Sequence, residues 1–409
     1  FKHSFSAVID THATSILSSI VLFYYGIGPV KGFALVLIVG IIFSVFTAYL
    51  VSRLIIDWWS EKGRTMGFAS EMTARAFKNI SFDWVGKRKY AYIFSGRLIL
   101  ISFVPFFTRN FELGVEFKGG YSINVQFEKE VNIDQLRNSL SKSFEGNPIV
   151  KNVDTKNTLN ITTSYLINDS SPDVNVKVKT KLLEGINEAM GTSITMEQFD
   201  QAQGDGTRIL SYSQVGPVIA DDIKASSTKA IILSLVVMFI YILIRFYKWQ
   251  YSAGAIIALA HDTIIVLGVF SLFHGILPFA MEIDQAFIAA VLTVIGYSMN
   301  DTVIVFDRIK EYLRLDTTKS DKELINEAVT STLSRTINTS LVTLLTIVIL
   351  FFFGGSSIKG FSFALIVGIV VGTYSSIFVA TPVLVDLTKN LKYNVRKVSQ
   401  KTTSKVAKV

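Results

Sequence analysis

Ala289–Phe306 reads AAVLTVIGYSMNDTVIVF, an apolar run interrupted by the polar knot Tyr297–Asp301 and carrying one carboxylate, Asp301. The next apolar run, Arg335–Phe353 (RTINTSLVTLLTIVILFFF), opens on a guanidinium. About 20 such residues cross the ~30 Å hydrocarbon core of a bilayer, so both stretches read as transmembrane helices. An acid and a base in successive spans are costly and mark a pathway for charge. If they meet, each lowers the other's cost, and the carboxylate can change charge when a proton arrives. Asp301 and Arg335 are therefore the candidate proton relay.

The surrounding chain fits that reading. Its 409 residues are 50% hydrophobic, with a mean hydropathy of +0.44, which points to a polytopic α-helical membrane protein. About eight spans are expected: Val8–Tyr25, Gly32–Ile56, Tyr90–Phe107, Ala230–Phe246, Ser252–Phe273, Asp284–Phe306, Ser334–Phe353 and Phe361–Leu387. Basic residues in short loops stay cytoplasmic. Nine basic against four acidic residues in Arg53–Arg97, and seven basic with no acidic residue in the tail Lys389–Val409, put both inside. The large loop Asn110–Asp222, with sixteen acidic and ten basic residues, falls outside. The +8 net charge thus reflects orientation and anionic lipid headgroups near the basic loops and tail. It is spread too widely for a nucleic-acid surface.

The outside loop is long enough for a small domain. Strands are predicted at Tyr121–Phe127, Ile149–Val153, Thr158–Tyr165 and Ser193–Phe199, and helices at Asn132–Phe144 and Val174–Met190. That βαββαβ order is the split βαβ of α+β ferredoxin-like domains, with one sheet face left for a partner.

Shifting the chain by 328 residues aligns Ser6–Val51 with Ser334–Val379 without a gap, and sixteen of the forty-six positions are identical. Both copies enter the membrane in the same direction, as in parallel transporter repeats. The copies differ in charge: Ala7 stands where Arg335 does, and Asp10 where Asn338 does. Arg335, Thr339, Thr343 and Thr346 share one helix face by spacing. Because the first copy has nothing before it, an equivalent first half is expected upstream of Phe1.

Other candidates carry weaker signals. Asn300, Asn338, Thr339, His261, Asp262 and Asp10 are potential supports for the relay, His261 because imidazole titrates near neutral pH. The competing readings remain: a static buried ion pair, whose breakage costs about 3–5 kcal/mol, or an Arg335 that snorkels to water. For His261 and Asp262 the alternative is a polar contact between helices. Gly119 and Gly120 follow a strand-like stretch with no helix start after them, so they serve a tight backbone turn rather than a phosphate cradle. The absence of Cys excludes disulfides and thiolate chemistry. The four histidines lack ligand spacing, and no catalytic triad stands out, so neither a metal site, a cofactor nor an enzyme active site is expected.

Several motifs in order resemble the SecD/SecF protein-export family in a fused arrangement, within the wider resistance-nodulation-division superfamily. Phe82–Tyr92 (FDWVGKRKYAY) is similar to the lead-in to the first SecF helix, and Gly114–Gly120 (GVEFKGG) to the signature opening its outside domain. From these, Gly114, Phe117, Gly119 and Gly120 are motif residues, as are Gly216 and Pro217 of Gln214–Pro217 (QVGP). Ala258–Asp262 (ALAHD), Tyr297–Asp301 (YSMND) and Val305–Arg308 (VFDR) resemble later SecF motifs.

The resemblance implies two last SecD-like helices in 1–59, a cytoplasmic linker in 60–89 and a first SecF-like helix in 90–107. It further implies a periplasmic domain in 108–228, a five-helix bundle in 229–387 and a basic cytoplasmic tail in 388–409. It implies a bacterial inner-membrane accessory of the Sec translocon that uses the proton gradient (sodium being the alternative coupling ion) to promote late export of preproteins. In it Asp301 matches the proton-carrying carboxylate and Arg335 its basic partner. Implied partners are the translocon channel, a YidC-like insertase, preproteins and the missing SecD-like region. The rival functions are a proton-coupled exporter of lipids or small molecules, and a passive scaffold between translocon and insertase.

Overall fold

A computed structural model describes residues 2–26, 29–63, 82–154, 157–169, 171–201, 206–277, 279, 281–315, 318–355 and 358–388. The basic tail beyond 388 and most of the expected cytoplasmic linker (64–81) lie outside the described residues.

In chain order, α1 (Lys2–Tyr25) is followed by α2 (Pro29–Phe46), which continues through a π-helical turn at Thr47–Val51 into α3 (Ser52–Glu61). After α4 (Arg88–Thr108) come the extramembrane elements α5 (Val115–Lys118), β1 (Gly120–Gln126), α6 (Ile133–Ser143), β2 (Ile149–Asp154), β3 (Thr158–Thr163), α7 (Val174–Met190), α8 (Met196–Phe199) and β4 (Arg208–Val215). The chain then runs through α9 (Pro217–Phe246), α10 (Trp249–Phe273), α11 (Gln285–Leu315) and α12 (Asp321–Phe353). It ends with α13 (Lys359–Ser375), a second π turn at Ser376–Ala380, and α14 (Thr381–Asp386).

Seven helical stretches among the described residues are long and apolar enough to cross a membrane. The first of the eight expected spans forms as α1, but its Asp, His, Thr and Ser residues keep it out of that set. Helix starts follow local chemistry. Ser320 and Glu323 close a capping box at the start of α12, and Gly216 followed by Pro217 at the first helical position opens α9.

The internal repeat is structural as well as sequential. α1 and α2 correspond to α12 and α13, and the two π turns fall one residue out of register: 47 plus 328 is 375, and the second turn starts at Ser376. Equivalent glycines cap the equivalent helices, Gly26 N–H donating to Leu22 O (2.7 Å) and Gly354 N–H to Leu350 O (2.8 Å). The equivalent aromatics Phe33 and Phe361 meet edge to face at 5.5 Å. α11 sits in the middle of the bundle, packed by α1, α9, α10, α12 and α13, and Gly296 gives Ser15 and Ser18 of α1 room to approach it.

The extramembrane domain has strand order β2-β3-β1-β4 with every neighbouring pair antiparallel. Leu136, Leu140, Val178, Leu182 and Ile186 of its two main helices pack with Tyr121, Ile123, Val125, Leu159 and Ile161 as one core. Alternate β1 residues therefore point away from it. There Asn160 donates to Ser122 Oγ and Asn124 Oδ1, and Asn124 to Ser211 Oγ, forming a polar row.

One expected element is corrected. Ser193–Phe199 is not the last strand; Thr195 and Gln198 form a capping box that starts α8 instead. The last strand is β4, paired along β1. Gly119 and Gly120 do turn the backbone at positive φ (74° and 148°), and a side chain on Gly120 would strike the Thr163 carbonyl.

Candidate functional site: buried carboxylates in the helix bundle

Among the described residues, three carboxylate clusters stand out inside the bundle. Asp301, in the middle of α11, is 0% exposed. Ser340 of α12 donates to its Oδ2 at 3.1 Å, and Thr373 of α13 donates to the Ser340 hydroxyl at 2.7 Å. A line of polar groups thus runs through three helices to one carboxylate oxygen. The other oxygen, Oδ1, is buried without a hydrogen-bond partner among the described residues, as are Asn300 Oδ1 and Thr336 Oγ1 beside it in sequence or on the facing helix.

Arg335 does not close this gap. No ion pair joins it to Asp301, and it lies on an exposed part of α12, near enough only to interact electrostatically. Helical geometry explains the difference. Ser340 is the α12 residue that faces Asp301, and Arg335, five residues earlier at about 100° each, lies about 140° around the helix from it. Asn338 and Thr339 share the exposed side, and Thr339 bonds back to its own helix. The face turned to α11 carries Thr336, Ser340 and Thr343, the last accepting from Tyr297 at 3.2 Å. Ser340 and Thr373 went unselected in the sequence. The 336, 340, 343 spacing is as helical as the 335, 339, 343 row chosen there, and only packing distinguishes the two.

Asp262 of α10 is 1% exposed and fully engaged. His261 Nδ1 lies 2.9 Å from Oδ1, and Ser298 of α11 and Ser375 of α13 each donate to Oδ2 at 2.7 Å. Ser298 is three residues before Asp301, so the two clusters occupy neighbouring turns of α11. The His261 Nε2 atom is buried without a partner among the described residues. Its ring lies 6.1 Å from Tyr374, whose hydroxyl meets Ser95 of α4 at 3.0 Å.

Asp10 joins neither cluster. Arg245 at the end of α9 donates to its Oδ2 at 2.7 Å and to Asp307 at 3.0 Å, and Tyr241 donates to its Oδ1. Asp307 is six residues beyond Asp301, or about 9 Å along the α11 axis. This ionic knot ties α1, α9 and α11 together.

The motif residues frame the extramembrane domain. Gly114 precedes the short helix α5 and packs on Asp284, Phe117 is buried in the bundle core, and Gly216 and Pro217 start α9.

The family model "Protein export membrane protein SecD/SecF, C-terminal" matches residues 195–390, which contain Asp301, Arg335, Asp262, Ser340 and Thr373. A protein translocase subunit SecF of Rhodothermus marinus is 45% identical over 313 residues, covering 76% of this chain and 95% of its own length. The chain belongs to the SecD/SecF family. A SecDF subunit of Brucella abortus is 31% identical over 397 residues, covering 94% of the chain but 48% of itself. The crystal structure of SecDF from Thermus thermophilus, titled a translocon-associated membrane protein, superposes with a TM-score of 0.78 at 29% identity, covering 95% of this chain and 49% of that one. This SecD/SecF chain therefore spans about half the length of the fused SecDF proteins it matches. Family membership and the seven apolar helices make it a multi-pass membrane protein.

Proposed function

We propose that the chain is the SecF-side portion, with two SecD-like helices, of an inner-membrane accessory of the Sec translocon that couples proton flow to late export of preproteins. The names of its relatives support the translocon role, and one observation supports the coupling. Asp301 is a fully buried carboxylate with one oxygen held by the Ser340–Thr373 line and the other unpartnered among the described residues. A buried charge held on one side only is costly. Gaining a proton removes that charge and turns the carboxyl into a donor, which changes how it holds α12 and α13.

Arg335 acts on Asp301 through its field rather than by contact. Its exposed helix face is where the SecD-like half would pack. The α+β domain, whose βαββαβ order and sheet order support the ferredoxin-like reading, faces the periplasm and holds the emerging chain. The protein also contacts a YidC-like insertase, and protons rather than sodium are the coupling ion.

The test is Asp301→Asn in the full-length protein, with gradient-dependent preprotein export measured in membrane vesicles. Export that loses its response to the proton gradient while ATP-driven entry continues supports the reading. A wild-type gradient response in the variant contradicts it.

A further inference from the structure

Besides the apolar packing of α5 on α9, the extramembrane domain meets the bundle through a small, charged seam. Leu113 and Ile283 form a parallel bridge, in which Ile283 N–H donates to Glu112 O (2.7 Å) and Gly114 N–H donates to Ile283 O (2.9 Å). Beside it, Lys151 of the edge strand β2 forms an ion pair with Glu282, which lies between α10 and α11. Glu282 is 7% exposed, and its Oε1 has no partner among the described residues. Two residues on, Asp284 accepts from Phe287 N–H at 2.7 Å and so caps α11, the helix that carries Asp301.

We propose that Lys151 and Glu282 form a proton-responsive joint that docks the α+β domain onto the outer end of the α10–α11 hairpin. The charges facing Glu282 are Lys151 from β2, Glu112 from the strand-like lead into the domain, and Asp284 from the start of α11, with Glu116 of α5 adjoining Asp284 and Lys151. One ammonium thus serves three carboxylates, Glu282, Asp284 and Glu116, with the Glu112 charge added beside Glu282. Burial pushes Glu282 up to about 7, against the opposing pull of Lys151, and burial raises Glu116 as well.

A carboxyl whose affinity for protons rises on docking favours the docked state below its free value, and that contribution is lost as pH climbs through about 7. Docking therefore tightens on acidification, although the ion pair itself is strongest when Glu282 is ionised. The burial cost of the charge outweighs the pairing.

These 409 residues contain no cysteine, so, with any cysteine elsewhere in the full-length protein replaced by serine, spin labels can be placed by Lys129→Cys, in the domain, and Ile276→Cys, at the hairpin, both exposed. In the full-length protein in lipid nanodiscs, the label-to-label distance should be narrow at pH 6 and broaden at pH 8. That change corresponds to a roughly ten-fold fall in the docking constant. Glu282→Gln should stay narrow at both values. Lys151→Met should broaden more at pH 8 than the parent and remain narrow at pH 6. Identical distributions at pH 6 and 8 in the parent, or a Glu282→Gln protein undocked at pH 6, would overturn the proposal. The readout is a distance, so it stands or falls separately from what Asp301 carries.

Discussion

Asp262 and Asp301 are both buried carboxylates, held on adjacent helices and joined through neighbouring turns of α11, yet their surroundings differ. Asp262 engages two serine hydroxyls and one imidazole nitrogen. Asp301 takes one hydroxyl and leaves an oxygen unpartnered among the described residues. A carboxylate with both oxygens engaged loses its partners if it moves, so it fastens helices. A half-saturated one changes its bonding when its charge changes. The contrast divides the bundle into a fixed clamp of α10, α11 and α13 and an adjustable contact between α11 and α12.

The largest effect expected from this division is at Asp301. Asp301→Asn should lower gradient-driven export by at least about ten-fold, the equivalent of about 1.4 kcal/mol or more in the coupled step. Its thermal stability should barely change, because Asn still accepts from Ser340. Export assays paired with melting curves in detergent would show this, and a large fall in melting temperature would erase the distinction.

Asp262→Ala should do the reverse. Leaving buried donors unsatisfied costs roughly 1–3 kcal/mol, visible as a lower melting temperature, while Asp262→Asn keeps enough acceptor capacity to retain the gradient response. If Asp262→Asn abolished that response with folding intact, the clamp would be a second carrier.

Arg335 gives an intermediate test. Because it makes no two-pronged contact with Asp301, Arg335→Lys should keep most of the export rate, whereas Arg335→Gln should lose much of it. A guanidinium engaged in a bidentate pair tolerates no such exchange, so an inactive Lys variant would show that the two groups meet during the cycle. The smallest effect belongs to Ser340→Ala, which removes one hydrogen bond worth about 1 kcal/mol. It should shift the pH at which export is half-maximal more than it changes its maximum.

Much of this was legible in the chain. Long apolar runs gave the spans, because a bilayer demands about 20 such residues whatever their neighbours are. The repeat was visible as identities, and Gly26, Gly354, Phe33 and Phe361 occupy matching places. Ser193–Phe199 reads as a strand from the alternation of Ile194 and Met196, but the Thr195–Gln198 capping box outweighs that pattern and starts a helix.

The site was half legible. Asp301 stood out as a carboxylate in an apolar run, and Asp262 as a polar spot. Ser340 and Thr373 did not, since hydroxyl rows on an apolar helix satisfy their own backbone as readily as a neighbour. Order along the chain leaves open whether Arg335 meets Asp301; rotation about α12 decides contact, and packing sets that rotation. The Lys151–Glu282 joint links residues 131 positions apart (282 minus 151), and no local pattern announces it.

The central claim is that Asp301 itself takes up and releases the proton. Infrared difference spectra of the full-length protein, recorded across a pH jump, report the carbonyl stretch of protonated carboxyl groups directly. Recorded in a Glu282→Gln background, so that the outer joint adds no band of its own, the spectra should show a pH-dependent carboxyl band that vanishes in Asp301→Asn and persists in Asp262→Asn. Spectra unchanged by Asp301→Asn would contradict the account.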